Sequence, residues 1–166
     1  MKLLKGNIIH APALETLETI ENGALLLDDD GTIREVLHEA PADFDGRVYD
    51  CSGQLIMQSF ADMHLHAPQF PNVGMGMDLP LLDWLKTYTF PVEAKFADLD
   101  YARRVYRRLA HDLIANGTTR VCMFSSLHTD ATLVLMEELE NAGVTGFVGK
   151  VKVGGQAVLG RQVSDA

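Results

Sequence analysis

Long apolar runs are missing from this sequence of 166 residues. The longest unbroken runs are four residues, at positions 24–27, 121–124 and 133–136. A membrane span needs about 20 consecutive apolar residues, and the core of a signal peptide needs about 7–15. The sequence therefore predicts neither a membrane span nor a secretory leader.

Cysteine and basic side chains are also scarce. Cys51 and Cys122 are the two cysteines, with no Cys-x-x-Cys pairing, which indicates a reduced cytoplasmic location rather than a disulfide framework. The 14 basic side chains are outnumbered by 23 acidic ones, giving a formal net charge of −9. This charge repels phosphate backbones, so we expect no nucleic-acid partner. The hydrophobic content of 47% suits a globular domain.

The hydrophobic pattern changes near residue 58. Residues 1–57 are predicted to form a small β segment, in which an Asp30-Gly31 turn joins two strands between positions 23 and 36. From residue 58 to 152, strand and helix patterns alternate. The predicted strands are 60–66, 118–124 and 144–151, and the predicted helices are 79–88, 98–116 and 129–141. This order predicts an α/β fold with parallel strands and right-handed crossovers, a βαβαβ unit.

The predicted helices carry three details that a structure can test. The first helix is expected to end before Pro91, and Thr129 or Asp130 is expected to cap the third. Four arginines line one face of the second helix, which we interpret as a solvated face rather than a phosphate site. They are Arg103, Arg104, Arg107 and Arg108.

His64 and His66 end the first strand of the α/β segment. Because residues i and i+2 of a strand point to one face, Asp62, His64 and His66 are predicted to project together. Two imidazoles on one face can share a divalent ion at a Zn–N distance of about 2.0–2.1 Å. Pro68 stops the strand just beyond, leaving the pair at the sheet edge where α/β folds place their sites. Spacing alone does not decide whether the two histidines bind a metal or are only structural. It also does not decide whether the metal is zinc, iron or nickel.

His128 follows the second strand and is expected at the same edge of the sheet. One interpretation has it face the mouth that holds His64 and His66. The favoured alternative is a loop histidine bonded to the terminus of the next helix. His10, His38 and His111 are interpreted as surface or structural side chains.

Several motifs together resemble guanine deaminases of the amidohydrolase superfamily. The longest is Asp-Met-His-Leu-His-Ala-Pro-Gln-Phe at 62–70, followed by Leu-Pro-Leu-Leu-Asp-Trp-Leu at 79–85 and Tyr-Thr-Phe-Pro at 88–91. Asn-Gly-Thr-Thr at 116–119, His-Thr-Asp at 128–130 and Phe-Val-Gly-Lys-Val at 147–151 continue the resemblance.

The resemblance implies a (β/α)8 TIM barrel with a small β-sandwich, one Zn²⁺ per site, and hydrolytic deamination of guanine to xanthine and ammonia. It implies that His64 and His66 are zinc ligands and that His66, Ala67, Pro68 and Gln69 line the guanine pocket, Gln69 contacting the base. Zinc would activate the water that attacks the ring carbon bearing the amino group, while a carboxylate carries the proton to ammonia. Full-length relatives are expected to be homodimers.

Much of that machinery is not in this sequence. The resemblance implies two more histidine ligands, an aspartate ligand and a catalytic glutamate on later strands, and such a barrel needs about 250 residues. We therefore interpret the chain as an amino-terminal fragment, inactive alone: the first βαβαβ portion of an incomplete barrel, preceded by a small β-sandwich segment.

Two departures from the family pattern add to this interpretation. Gln58-Ser59 stand where the family usually has Pro-Gly. Residues 153–166 resemble nothing in the family, and we expect a disordered tail produced by a frameshift or premature stop near Lys152. The alternatives are a non-catalytic fragment, or another zinc amidohydrolase such as a different purine or pyrimidine deaminase.

Overall fold

The computed structural model describes residues 1–151, 157–158 and 162–163. The chain divides into two compact units, Met1–Gln58 and a unit that begins at Ser59. Within the described ranges, no helix combines the length and the apolar character that crossing a membrane requires.

The first unit is a four-stranded sheet in the order β3-β2-β1-β4. Its strands are β1 (Lys2–Ala13), β2 (Thr16–Leu27), β3 (Ile33–Leu37) and β4 (Arg47–Met57). The predicted hairpin is present as β2 and β3, which pair antiparallel around Gly31 at φ +96°. A second hairpin, β1 with β2, turns at Glu15 (φ +62°) without the glycine that would have signalled it. The predicted sandwich needs a second sheet and stays a prediction.

The second unit confirms the predicted α/β fold. Its parallel strands are β5 (Phe60–His66), β6 (Thr118–Phe124) and β7 (Thr145–Val151), paired in that order. Two short strands, β8 (Ala157–Val158) and β9 (Gln162–Val163), pair antiparallel with β7. The rest of the predicted tail, 153–166, lies outside the described residues, so its disorder stays a prediction.

Two long helices, α3 (Leu99–Ala115) and α4 (Thr129–Asn141), cover this sheet. Asp98 caps α3 by accepting hydrogen bonds from the backbone N–H groups of Asp100 and Tyr101. The apolar stripe of α3 is buried with the inward side chains of β6 and β7, because each apolar face must be covered by another layer. Gly117 ends the helix at φ +80°, the left-handed conformation expected there.

The helix predicted to end before Pro91 was placed wrongly. Helical turns run on from residue 81 to 97, as α1 (Leu81–Trp84), a π-helical turn (Leu85–Thr89), α2 (Phe90–Glu93) and a 3₁₀ turn (Ala94–Ala97). Pro91 lies in the first turn of α2, where its missing N–H costs little. The preceding N–H, that of Phe90, bonds to the carbonyl of Leu85 and closes the π turn.

Two further sequence expectations are also corrected. The residue that caps α4 is His128, not Thr129 or Asp130, and its side chain makes no capping hydrogen bond. The arginine face of α3 is not simply solvated, since Arg103 and Arg107 both bind Glu138 of α4. Glu138 is only 3% exposed, so these ion pairs tie the two helices together.

Candidate metal and base-binding site

His64 and His66 lie together at the carboxyl end of β5. Their ring centroids are 5.1 Å apart, with one ring edge-on to the other. Two imidazoles bound through nitrogen to one tetrahedral ion, at a Zn–N distance of about 2.0–2.1 Å, have ring centres about 5 Å apart. The ring separation of the pair is therefore compatible with two ligands of a single zinc ion.

Phe124, on the neighbouring strand, packs against both histidines. Its ring centroid lies 5.7 Å from that of His64 and 5.0 Å from that of His66. Sequence reasoning missed this contact, although Phe124 ends β6 and pairs with His66 in the parallel register. Burial, and then the charge of His64, lower the pKa of His66. A lowered pKa favours the neutral imidazole, which is the form that binds a metal.

Asp62 does not join the histidines as a third ligand. Its carboxylate accepts a hydrogen bond of 3.0 Å from the backbone N–H of His64. Within the ranges that the structure describes, no three histidine, cysteine, aspartate or glutamate side chains are grouped closely enough to hold a metal. The described residues thus offer two candidate ligands, His64 and His66, and their role as zinc ligands stays a prediction.

A cavity of about 250 Å³ opens beside the two histidines. Pockets for drug-sized ligands have volumes of about 300–1,000 Å³, so this one suits a smaller molecule. Its lining includes His64, His66, Gln69, Asn72 and Trp84.

The chain leaves β5 through a 3₁₀ helix, Ala67–Asn72, which carries the other residues that the resemblance assigned to the base pocket. Gln69 lines the cavity, as His66 does. Ala67 and Pro68 are buried in the protein interior and are not among the described residues that line it. Their contact with a base stays a prediction.

Two cavity residues were not singled out by the sequence. Trp84 lies within the Leu-Pro-Leu-Leu-Asp-Trp-Leu motif, and its indole N–H donates a hydrogen bond of 2.7 Å to the carbonyl of Met75. Asn72 is 2% exposed, and its Nδ2 has no hydrogen-bond partner among the described residues. No signal in the sequence distinguishes this asparagine.

The structure bears on one of the two interpretations of His128, and the other, that it faces the mouth with His64 and His66, stays a prediction. Its side chain caps no helix, contrary to the favoured interpretation, and its buried Nε2 has no partner in the described part of the chain. It is not among the described residues that line the cavity beside His64 and His66.

Comparison of the structure with solved proteins defines the class of fold. An atrazine chlorohydrolase of Arthrobacter aurescens, complexed with zinc and atraton, superposes with a TM-score of 0.74 at 17% identity, covering 89% of this chain and 35% of its own. No family model matches the sequence. The chain has the mixed α/β fold of amidohydrolases with TIM barrels, and it spans about a third of them.

More similar proteins narrow that class. Guanine deaminase of Dictyostelium discoideum is 36% identical over 168 residues, covering 91% of this chain and 37% of its own length. Guanine deaminase of C. acetobutylicum, solved with guanine bound, has a TM-score of 0.79 and 40% identity, covering 89% of this chain and 35% of its own. The chain is therefore a homologue of guanine deaminases, matching a little over a third of their length.

Proposed function

We propose that this chain is part of an enzyme that hydrolyses guanine to xanthine and ammonia. In this proposal it contributes two zinc ligands and one wall of the base pocket. The observation that carries the proposal is the pair of imidazoles, His64 and His66, at 5.1 Å on the rim of a cavity that Gln69 also lines. The guanine-bound homologue supports the choice of base, since the chain matches it at 40% identity.

Each residue of the site has a distinct role in this proposal. His64 and His66 hold one zinc ion, which supplies an activated water when it is bound. Phe124 packs against both rings, and the lowered pKa of His66 favours the neutral form of that ring. Gln69 offers its amide to the polar edge of the base, and Trp84 gives the cavity an apolar wall.

We expect the 166-residue chain by itself to bind zinc weakly and not to turn over guanine. Two ligands give much less affinity than the three or four of ordinary zinc sites. Proton transfer to the departing ammonia also needs a carboxylate beside the metal. A non-catalytic role for this polypeptide therefore stays open. A homodimer and a cytoplasmic location also stay predictions.

Metal binding is tested first, by titrating the purified chain with Zn²⁺ in a calorimeter. We expect weak binding with one ion per chain, lost in H64A and in H66A. His111 is exposed on α3 and provides the matched control, since H111A should bind zinc as the wild type does. Equal zinc binding by H64A, H66A and the wild type would contradict the metal site.

Base binding is tested by the fluorescence of Trp84, which is the only tryptophan in the chain and lines the cavity. We expect guanine to change this fluorescence with a saturable dependence and cytosine to leave it unchanged. A stronger response to cytosine would favour another amidohydrolase. Xanthine formation, followed by absorbance, decides whether the chain alone is catalytic.

A further inference from the structure

The carboxylate of Glu93 contacts the side-chain amide of Gln69. The Nε2 atom of Gln69 lies 3.5 Å from Oε1 of Glu93, which is the last residue of α2. Of the residues that the structure describes, Gln69 lines the cavity while Glu93 does not. The carboxylate therefore contacts the NH₂ end of the amide from outside the set of described residues that line the cavity.

The chemistry of the two groups fixes how the amide is turned. An ionised carboxylate can only accept hydrogen bonds, so Gln69 must present its NH₂ group to Glu93. The carbonyl oxygen of the same planar amide then points the other way. We propose that Glu93 is a positioning residue that turns the carbonyl oxygen of Gln69 toward the cavity. This inference rests on the proposed base site. It identifies Glu93 as the group that fixes which polar atom of Gln69 faces the cavity.

The surroundings of Glu93 limit the carboxylate to this partner. Among the described residues, Gln69 is the one side chain that donates a hydrogen bond to the carboxylate of Glu93. The hydroxyl of the nearby Tyr106 is instead paired with that of Ser125, at 3.5 Å between the two oxygens. Burial raises the pKa of Tyr106 to about 12, with a smaller contribution from the charge of Glu93. The phenol therefore stays neutral at physiological pH.

Glu93 also occupies a position that is costly for a carboxylate. Burial raises its pKa, and the hydrogen bond from Gln69 only partly opposes this effect. A glutamine of the same size would avoid the desolvation of a charge, but its own amide could either donate to Gln69 or accept from it. Only the carboxylate enforces one orientation, which gives a functional reason for the charge.

The orientation of Gln69 sets which bases the cavity accepts. A carbonyl oxygen accepts hydrogen bonds from ring N–H and amino groups, and guanine presents several of these. A base that offers an acceptor at this point would leave two acceptors facing each other without a proton, and unpaired buried polar groups reject a ligand strongly. Glu93 thereby acts on selectivity without touching the base.

Three variants test this inference through the fluorescence of Trp84. E93Q keeps the size of the side chain and should weaken guanine binding about tenfold, since it removes a charge-assisted hydrogen bond. Q69E should bind guanine poorly because it sets two carboxylates against each other. The exchanged double variant, Q69E with E93Q, again presents an acceptor to the cavity and should recover guanine binding. E140Q, at an exposed position of α4, is the control and should bind as the wild type does.

Recovery in the double variant supports the inference, since a merely structural role for Glu93 would not predict it. Unchanged guanine binding in E93Q, or no recovery in the double variant, overturns it. If the wild type does not bind guanine, the base site is refuted. A second measurement, which does not need guanine, then tests the contact between Glu93 and Gln69. The side-chain NH₂ resonances of Gln69, assigned with Q69L, should shift in E93Q and not in E140Q. If they do not shift in E93Q, Glu93 does not position Gln69.

Discussion

The buried carboxylate of Glu138 offers a sharp test of how the second unit is held together. It accepts three hydrogen bonds: one of 2.8 Å from Arg103, and two of 2.9 and 3.1 Å from Arg107. Glu138 is 3% exposed, whereas its neighbour Glu137 is 54% exposed and accepts one bond, of 2.9 Å, from Arg103. The two glutamates thus share Arg103 as a partner, and they differ in burial and in the additional bonds that Arg107 gives to Glu138.

We expect E138Q to lower the free energy of unfolding by about 1.5–3 kcal/mol, the usual contribution of a hydrogen bond to a charged group. The three hydrogen bonds are only partly lost in this variant. The amide oxygen of the new glutamine still accepts from an arginine, but its NH₂ group cannot accept from the guanidinium that it faces. E137Q should cost about 0.2–1 kcal/mol, as expected for an exposed pair. Urea unfolding followed by far-UV circular dichroism measures both variants.

The pH dependence of this difference follows from the pKa of Glu138. Hydrogen bonds from Arg107 are the largest cause that lowers this pKa from its usual 4.5. A lowered pKa in the folded state stabilises the protein above the pKa of the unfolded chain, and this stability is lost as the pH falls through the folded value. The advantage of the wild type over E138Q should therefore disappear in acid. Equal costs for E137Q and E138Q, or a difference that persists in acid, would refute the reasoning.

Three further predictions concern backbone, cap and charge. G146A should lose about 2–4 kcal/mol, because Gly146 has φ +142° and an added Cβ would overlap the carbonyl oxygen of Val121. G31A should lose less in the same urea assay, because its positive φ of +96° is strained for alanine but no atom of the described residues lies near the added Cβ. D98A should cost about 1 kcal/mol through loss of the α3 cap, and a loss of helical signal no larger than in D100A would count against this. Because burial raises the pKa of Glu93, the folded state holds more protons than the unfolded chain just above pH 4.5, so stability falls as the pH rises through the folded value. E93Q should therefore be more stable than the wild type at neutral pH and equal to it in acid, as urea unfolding at the two pH values would show.

Local signals in the sequence were enough for most secondary structure and for the centre of the site. The alternation at 60–66 placed His64 and His66 on one strand end, and the 3.6-residue period placed α3 between Asp98 and Gly117. These predictions succeed because they depend on residues only two to four positions apart. The motif resemblance, which the homologous guanine deaminases confirm, added the identity of the fold class.

The predictions that failed concern alternatives that are close in local energy. Pro91 is equally compatible with the end of one helix and the first turn of another, and the π turn that decides between them depends on the carbonyl of Leu85. The prediction of the α4 cap failed for a similar reason. The hydroxyl of Thr132, within the helix, donates a hydrogen bond to the carbonyl of His128 and so holds the first turn.

By itself, the sequence determined that a strand ends in two histidines beside a polar residue, Gln69, and that helices follow in a fixed order. Only the tertiary structure decided that Phe124 packs against those histidines, that Glu93 contacts Gln69 and that Arg107 bonds to Glu138. Each of these contacts joins residues 24 to 60 positions apart, at distances set by how strands and helices pack. No local pattern records such a distance, because it depends on the whole fold being formed.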